Sequence, residues 1–156
     1  MIRYLSPVFN IIFNDIYQIT DGKVIVGGSL SLRMQNIIQR DISDIDLNLT
    51  KTDWDTFESH INKKYNIYHG PRIKIESKLD YVVSRCLTKD KTTEFHLFIH
   101  NIETSLFNNI IYDDKELRIL KPELHLLDKE IMLLDDSANQ KIKSDIISIK
   151  KHINEK

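Results

Sequence analysis

Apolar residues recur along this chain with two different periods, and the change of period marks its elements. Leu5, Val8, Phe9, Ile12, Phe13 and Ile16 fall at helical spacing, so they predict an amphipathic first helix. Asp21-Gly22 predicts the turn that ends it, and Lys23 to Val26 reads as a short buried strand. Leu30 to Gln39 predicts a second helix, with Leu30, Met34 and Ile37/Ile38 on one side. From Ser43 to Leu49 the period becomes two. Ile45, Leu47 and Leu49 face one way, and Asp44, Asp46 and Asn48 the other. Thr52 is the predicted N-cap of a third helix carrying Trp54, Phe57 and Ile61.

Further strands are predicted over Arg72 to Glu76, Leu79 to Leu87 and Thr92 to His100, the last two joined by the polar loop "TKDK". A small hairpin is predicted around "DDKE", from Ile110 to Tyr112 and Leu117 to Leu120. One closing helix starts near Pro122 and carries Leu124, Leu127, Ile131 and Leu134. The other carries Ile142, Ile146, Ile149 and Ile153. This order predicts an α/β (α+β) fold, a mixed sheet flanked by helices with a C-terminal helical pair. No repeat or Pro/Gly/Ser linker interrupts it. A single domain over 1–156 is expected, with an α/β core to about residue 120 and the helices after it.

Composition narrows the partners. The 156 residues are 41% hydrophobic and 29% charged, which fits a folded chain and not a disordered one. With 22 basic and 23 acidic residues, the formal net charge of -1 gives no global drive toward nucleic acid or anionic lipid. Lys141, Lys143, Lys150 and Lys151 cluster near the end, as a solvated helix face or a place for nucleic acid. The single cysteine, Cys86, lies in an alternating apolar run and reads as a buried strand thiol. No apolar run is long enough to span a membrane, and the first residues lack a signal-peptide core. A cytoplasmic protein without a membrane partner is therefore expected. Abundant Ile, Asn, Lys and Asp suggest an AT-rich genome, bacterial or phage.

The candidate chemistry sits in "VIVGGSLSLRMQNIIQRDISDIDLNL", Val24 to Leu49. Alternation places Asp44 and Asp46 on one face of one strand, about 6 to 7 Å apart. Two carboxylates so placed repel each other unless a cation lies between them, and oxygen donors suit Mg²⁺ or Mn²⁺. Upstream, Gly27-Gly28-Ser29 lies between a strand and a helix, where glycines let a phosphate approach the backbone. A Gly-Gly-Ser turn alone is usually only a turn, and a D-x-D alone is often a solvated face. Together and in this order they suit phosphoryl or nucleotidyl transfer.

These residues resemble the signature of the DNA polymerase β-type nucleotidyltransferase superfamily: an apolar residue, G-[G/S], a helix, then D-x-D in an apolar strand. Arg40, Ser43, Asp44, Ile45, Asp46 and Leu47 resemble the wording of its small standalone members. Those include the minimal nucleotidyltransferases and the toxin-type enzymes of abortive-infection and toxin–antitoxin systems. "LRILKPELHLLDKEIMLL…KIKSDIISIKKH" is similar to the tail of those families. The resemblance implies a nucleotidyltransferase fold and transfer of a nucleoside monophosphate from a nucleoside triphosphate to a hydroxyl, with pyrophosphate released. It implies that Gly27, Gly28, Ser29, Arg40 and Lys129 face the nucleotide, and that Lys143 and Asp145 belong to the closing helix.

It also implies a third acid on a later strand, completing a two-cation site with Asp44 and Asp46. "TTEFHLFIH" places His96 where that acid is expected, with Glu94 two residues earlier on the same face. Glu94 as a longer substitute ligand, His96 as ligand or base, and loss of the second cation all remain open. The acceptor hydroxyl could belong to a tRNA end, another RNA, a protein or a small molecule, and the oligomeric state is not legible. The alternative is a nucleotidyltransferase-fold protein that binds or regulates without transfer, such as a toxin–antitoxin component. His96 favours that alternative, and the retained Asp44 and Asp46 oppose it.

Overall fold

The computed structural model describes residues 2–42, 45–64, 74–76, 80–87, 93–100 and 107–155. Helix α1 (Pro7–Ile19) opens behind Ser6, whose side chain accepts a hydrogen bond from the Phe9 N–H, with Pro7 at the first helical position. It buries Ile12, Phe13 and Ile16, three of the apolar positions that predicted it. Gly22 (φ 75°) makes the turn into β1 (Ile25–Val26), which is shorter than the predicted Lys23–Val26.

Helix α2 runs from Gly28 to Met34, so it starts before and ends well short of the predicted Leu30–Gln39. The reason is local. Asn36 adopts the left-handed conformation (φ 59°), and the Ile37 N–H donates to the Leu32 carbonyl at 2.9 Å, which closes the helix. Ile37 and Ile38 then pack with Leu32 and Ile149 in a small second core instead of extending α2. Strand β2 (Ile45–Thr50) buries Ile45, Leu47 and Leu49, while Ser43 and Asp44 lie outside the described residues. Helix α3 (Lys51–Lys64) begins one residue before the predicted cap Thr52. Thr50 takes the capping role, accepting from the Asp53 N–H at 3.1 Å.

The remaining strands are β3 (Lys74–Glu76), β4 (Asp80–Leu87), β5 (Glu94–His100), β6 (Phe107–Tyr112) and β7 (Lys115–Leu120). The "TKDK" loop predicted between β4 and β5 lies outside the described residues, yet the two strands pair antiparallel as a hairpin requires. The second hairpin turns through Asp113 and Asp114, both with positive φ.

These strands form one mixed sheet in the order β3-β4-β5-β2-β1-β7-β6. Strand β2 pairs antiparallel with β1 and parallel with β5, so the acidic strand lies in the middle of the sheet. Its inner side joins α1, Trp54 and Phe57 of α3, Phe95 and Leu97 in the main core. Each fully buried residue of this size contributes about 1.5 to 3 kcal/mol, so β2 is firmly held. Cys86 is buried on β4.

Helices α4 (Pro122–Asp135) and α5 (Gln140–Asn154) close the chain. Helix α5 buries the predicted Ile142, Ile146 and Ile149. Helix α4 departs from expectation. Leu134 is 83% exposed, and the buried positions are Pro122 and His125. Its inward face is partly polar because it meets polar side chains of α2 and α5.

Candidate active site

The site grows from the contact between the start of α2 and the middle of β2. The Gly27 N–H donates to the Asp46 carbonyl at 2.9 Å, which draws the turn onto the strand. Gly28 has φ 57°, a conformation that side chains with a Cβ rarely adopt. A Cβ on Gly28 would overlap Asp46 Oδ2 and lie 3.0 Å from both Cβ and Cγ of Asp46. A Cβ on Gly27 would crowd the Asn48 amide, whose Nδ2 donates to the Ile25 carbonyl at 3.3 Å. Both glycines are therefore required by close approach. The Asp46 carboxylate occupies the space that a side chain at position 28 would fill.

Parallel pairing of β2 with β5 sets Asp46 beside His96 in register, so both side chains emerge on one face. His96 Nδ1 lies 3.2 Å from Asp46 Oδ1, and its Nε2 lies 3.4 Å from Glu94 Oε1. The imidazole thus bridges two carboxylates. The hydrogen bond to Asp46 raises the His96 pKa above the ordinary histidine value, against the opposing effect of burial.

On the other side of Gly28 lies a second cluster. Ser29 Oγ accepts from Arg40 Nη2 at 2.7 Å. Arg40 grips Asp145 with two bonds, Nε to Oδ1 at 3.1 Å and Nη2 to Oδ2 at 2.8 Å. Lys129 Nζ donates to Asp145 Oδ2 at 2.9 Å. Asp145 is 1% exposed. Burial pushes its pKa up, but the hydrogen bonds from Arg40 and Lys129 outweigh that and hold it below the usual carboxylate range. Next to this cluster, Ser31 Oγ and His125 Nε2 lie 2.9 Å apart, both buried. Burial, aided by the nearby Lys129 charge, lowers the His125 pKa to about 3, so its ring is neutral at pH 7.

The sequence-predicted residues therefore fall into two neighbouring groups joined at Gly28-Ser29. Gly27, Gly28, Asp46, Glu94 and His96 form one, and Ser29, Arg40 and Lys129 form the other. Asp44 lies outside the described residues. Asp145, Ser31 and His125 were not singled out for the site from sequence. Their signal was an acid at the position before Ile146, inside the apolar stripe of α5, and a histidine on the inward face of α4.

The hydrogen bonds of His96 test which cations the donor set can take. Asp46 presents hard oxygen donors beside the small Gly28, the donor type that Mg²⁺ or Mn²⁺ takes. The imidazole already engages an oxygen of both Asp46 and Glu94. Among the described residues no group of three side chains converges as metal ligands. Glu94 as a third metal ligand would have to leave His96.

No protein-family model and no curated protein matches this sequence. Among solved structures, the chain is similar to a candidate nucleotidyltransferase from Thermotoga maritima, with 14% identity and a TM-score of 0.56 over 100% of this chain and 97% of that one. It is also similar to an antigenic nucleotidyltransferase-like protein from Paracoccidioides brasiliensis, with 11% identity and a TM-score of 0.55 over 90% of this chain and 73% of that one. The chain thus has a nucleotidyltransferase-type α/β fold. Likeness at this level is one of fold, and the chemistry has to be argued from the site. Among the described residues no helix is long and apolar enough to cross a membrane.

Proposed function

We propose that the protein is a metal-dependent nucleotidyltransferase that moves a nucleoside monophosphate from a nucleoside triphosphate to an acceptor hydroxyl. The observation that carries this reading is the seating of Asp46 on Gly28, next in the chain to Ser29, which binds Arg40 and through Asp145 is linked to Lys129. An acid for a cation and a cluster of donors for phosphate oxygens thus meet at one turn.

In this reading Asp46 with Asp44 would hold Mg²⁺ or Mn²⁺. When bound, such a cation supplies neutralising charge at the reacting phosphate. The acceptor oxygen forms a bond to the α-phosphorus as the bond from that phosphorus to the leaving pyrophosphate breaks. The acceptor proton passes to His96 or Glu94. Arg40 and Lys129 receive the charge that develops on the pyrophosphate. The acceptor hydroxyl belongs to a tRNA or other RNA end, a protein or a small molecule, and the protein acts in the cytoplasm.

The test is incubation with each labelled nucleoside triphosphate, Mg²⁺ or Mn²⁺, and mixed cellular RNA and protein. Label should appear in an acceptor and vanish with Asp46→Asn and with Asp44→Asn. Nucleotide binding without any labelled acceptor, under every metal tried, would sink the transfer reading. It would favour a second one, a nucleotide-binding regulatory protein such as a toxin–antitoxin component. That reading draws on His96, which occupies Asp46 and Glu94 together.

A further inference from the structure

Asp145 joins four parts of the chain at one carboxylate. It projects from α5, binds Arg40 from the segment before β2 and Lys129 from α4, and through Arg40 reaches Ser29 at the start of α2. We propose that Asp145 is a positioning residue: it meets no substrate itself but holds Arg40 and Lys129 side by side as one receptor for an oligophosphate chain. The proposal rests on the nucleotide-binding reading above.

The hydrogen-bond inventory supports it. Asp145 takes Arg40 Nε–H and one Nη2–H, Ser29 takes the other Nη2–H, and the Asp41 carbonyl lies 3.4 Å from Nη1. The guanidinium plane is thereby fixed on two edges. Among the described residues, one Nη1 hydrogen of Arg40 and two ammonium hydrogens of Lys129 are left to donate elsewhere. Two cations this close repel each other, and the shared Oδ2 of Asp145, bonded to both, keeps them together. The three groups sum to one positive charge beside Ser29, which suits an anion. Arg40 keeps 26% side-chain exposure and Lys129 14%, so each retains some contact with solvent, Arg40 the more.

A purely structural ion pair and a positioning residue differ in the sign of one effect. Asp145→Asn makes the cluster more positive by one charge. If charge alone mattered, anions would bind more tightly. If geometry matters, they bind more weakly, because Arg40 and Lys129 separate.

The experiment measures binding of inorganic tripolyphosphate, without metal, to the full chain by titration calorimetry. Wild type should bind, and Asp145→Asn should bind about tenfold more weakly or worse, the scale of one lost charge-assisted hydrogen bond. Lys150→Gln, which alters a surface pair with Glu130, should bind as wild type does, separating this cluster from general basic charge. Should Asp145→Asn fail to fold, Asp145→Glu carries the test. It keeps the charge but displaces the carboxylate, and it should also weaken binding. Equal or tighter binding by the folded Asp145 variant overturns the positioning role. So does wild type that binds a nucleoside triphosphate with Mg²⁺ but not tripolyphosphate, and both results leave the transfer reading standing. Wild type that binds neither ligand overturns both.

Discussion

Replacing Gly28 by alanine adds one methyl group, and the structure states where it would go. It would enter the space of the Asp46 carboxylate, with Cβ and Cγ of Asp46 each 3.0 Å away. Those atoms belong to a short side chain on a central strand, so little can yield except the carboxylate's position. The residue would also hold φ near 57°, which costs an alanine about 1 to 2 kcal/mol. Moving Asp46 breaks its hydrogen bond with His96, and a bond to a charged group is worth about 1.5 to 3 kcal/mol. The expected destabilisation is therefore about 3 kcal/mol by urea denaturation. A displacement of about 1 Å at a reacting group costs on the order of a hundredfold in rate, so transfer should fall by at least that much. Gly22→Ala is the control. It carries comparable backbone strain (φ 75°), but its Cβ meets only the Tyr17 ring and hydroxyl, at 3.2 Å and beyond. It should lose about 1 kcal/mol and keep full activity. If Gly28→Ala matched wild type in stability and activity, or if Gly22→Ala lost activity as well, the close approach of Gly28 to Asp46 would not be what builds the site.

Two pH effects follow from the buried and bridging histidines. The His125 pKa is about 3 in the folded protein and near 6.5 when unfolded, so between those values only the unfolded chain takes up the proton. Stability must fall as pH drops below about 6.5, and from pH 7 to pH 5 wild type should lose about 2 kcal/mol more than His125→Gln. Parallel pH profiles for the two would show that His125 is not held neutral. His96 has the opposite sign. Its folded pKa is raised, so its contribution is fully present below about 6.5 and is lost as pH rises through the folded value. In metal-free buffer its imidazole NMR signal should titrate above the ordinary histidine range and shift down in Asp46→Asn. An unchanged titration in that variant would remove Asp46 as the main cause.

Much of the site could be read along the chain because its parts are close in sequence or in strand period. Gly27 to Ser29 and Asp46 lie within one local unit, and period-two alternation on β2 places Asp46 opposite the buried Ile45 and Leu47 without any knowledge of the sheet. Glu94 and His96 shared a face for the same reason. The length of α2 could not be read this way. Ile37 and Ile38 continue the helical pattern, but they serve a separate core with Ile149, a residue more than a hundred positions away. The inward face of α4 was misread for a related cause. His125 is buried with its Nε2 within hydrogen-bond distance of the buried Ser31 Oγ, a partner far away in the chain, while Leu134 is left exposed.

By itself, then, the sequence determined the local elements, the alternation of β2 and the residue types at the turn, since these follow from periodicity and backbone sterics. Tertiary structure alone decided which distant side chains meet. Parallel pairing of β2 with β5 brings His96 onto Asp46, and the docking of α5 brings Asp145 between Arg40 and Lys129. Sheet order and helix packing depend on contacts between residues far apart in the chain, and such contacts leave no period to read.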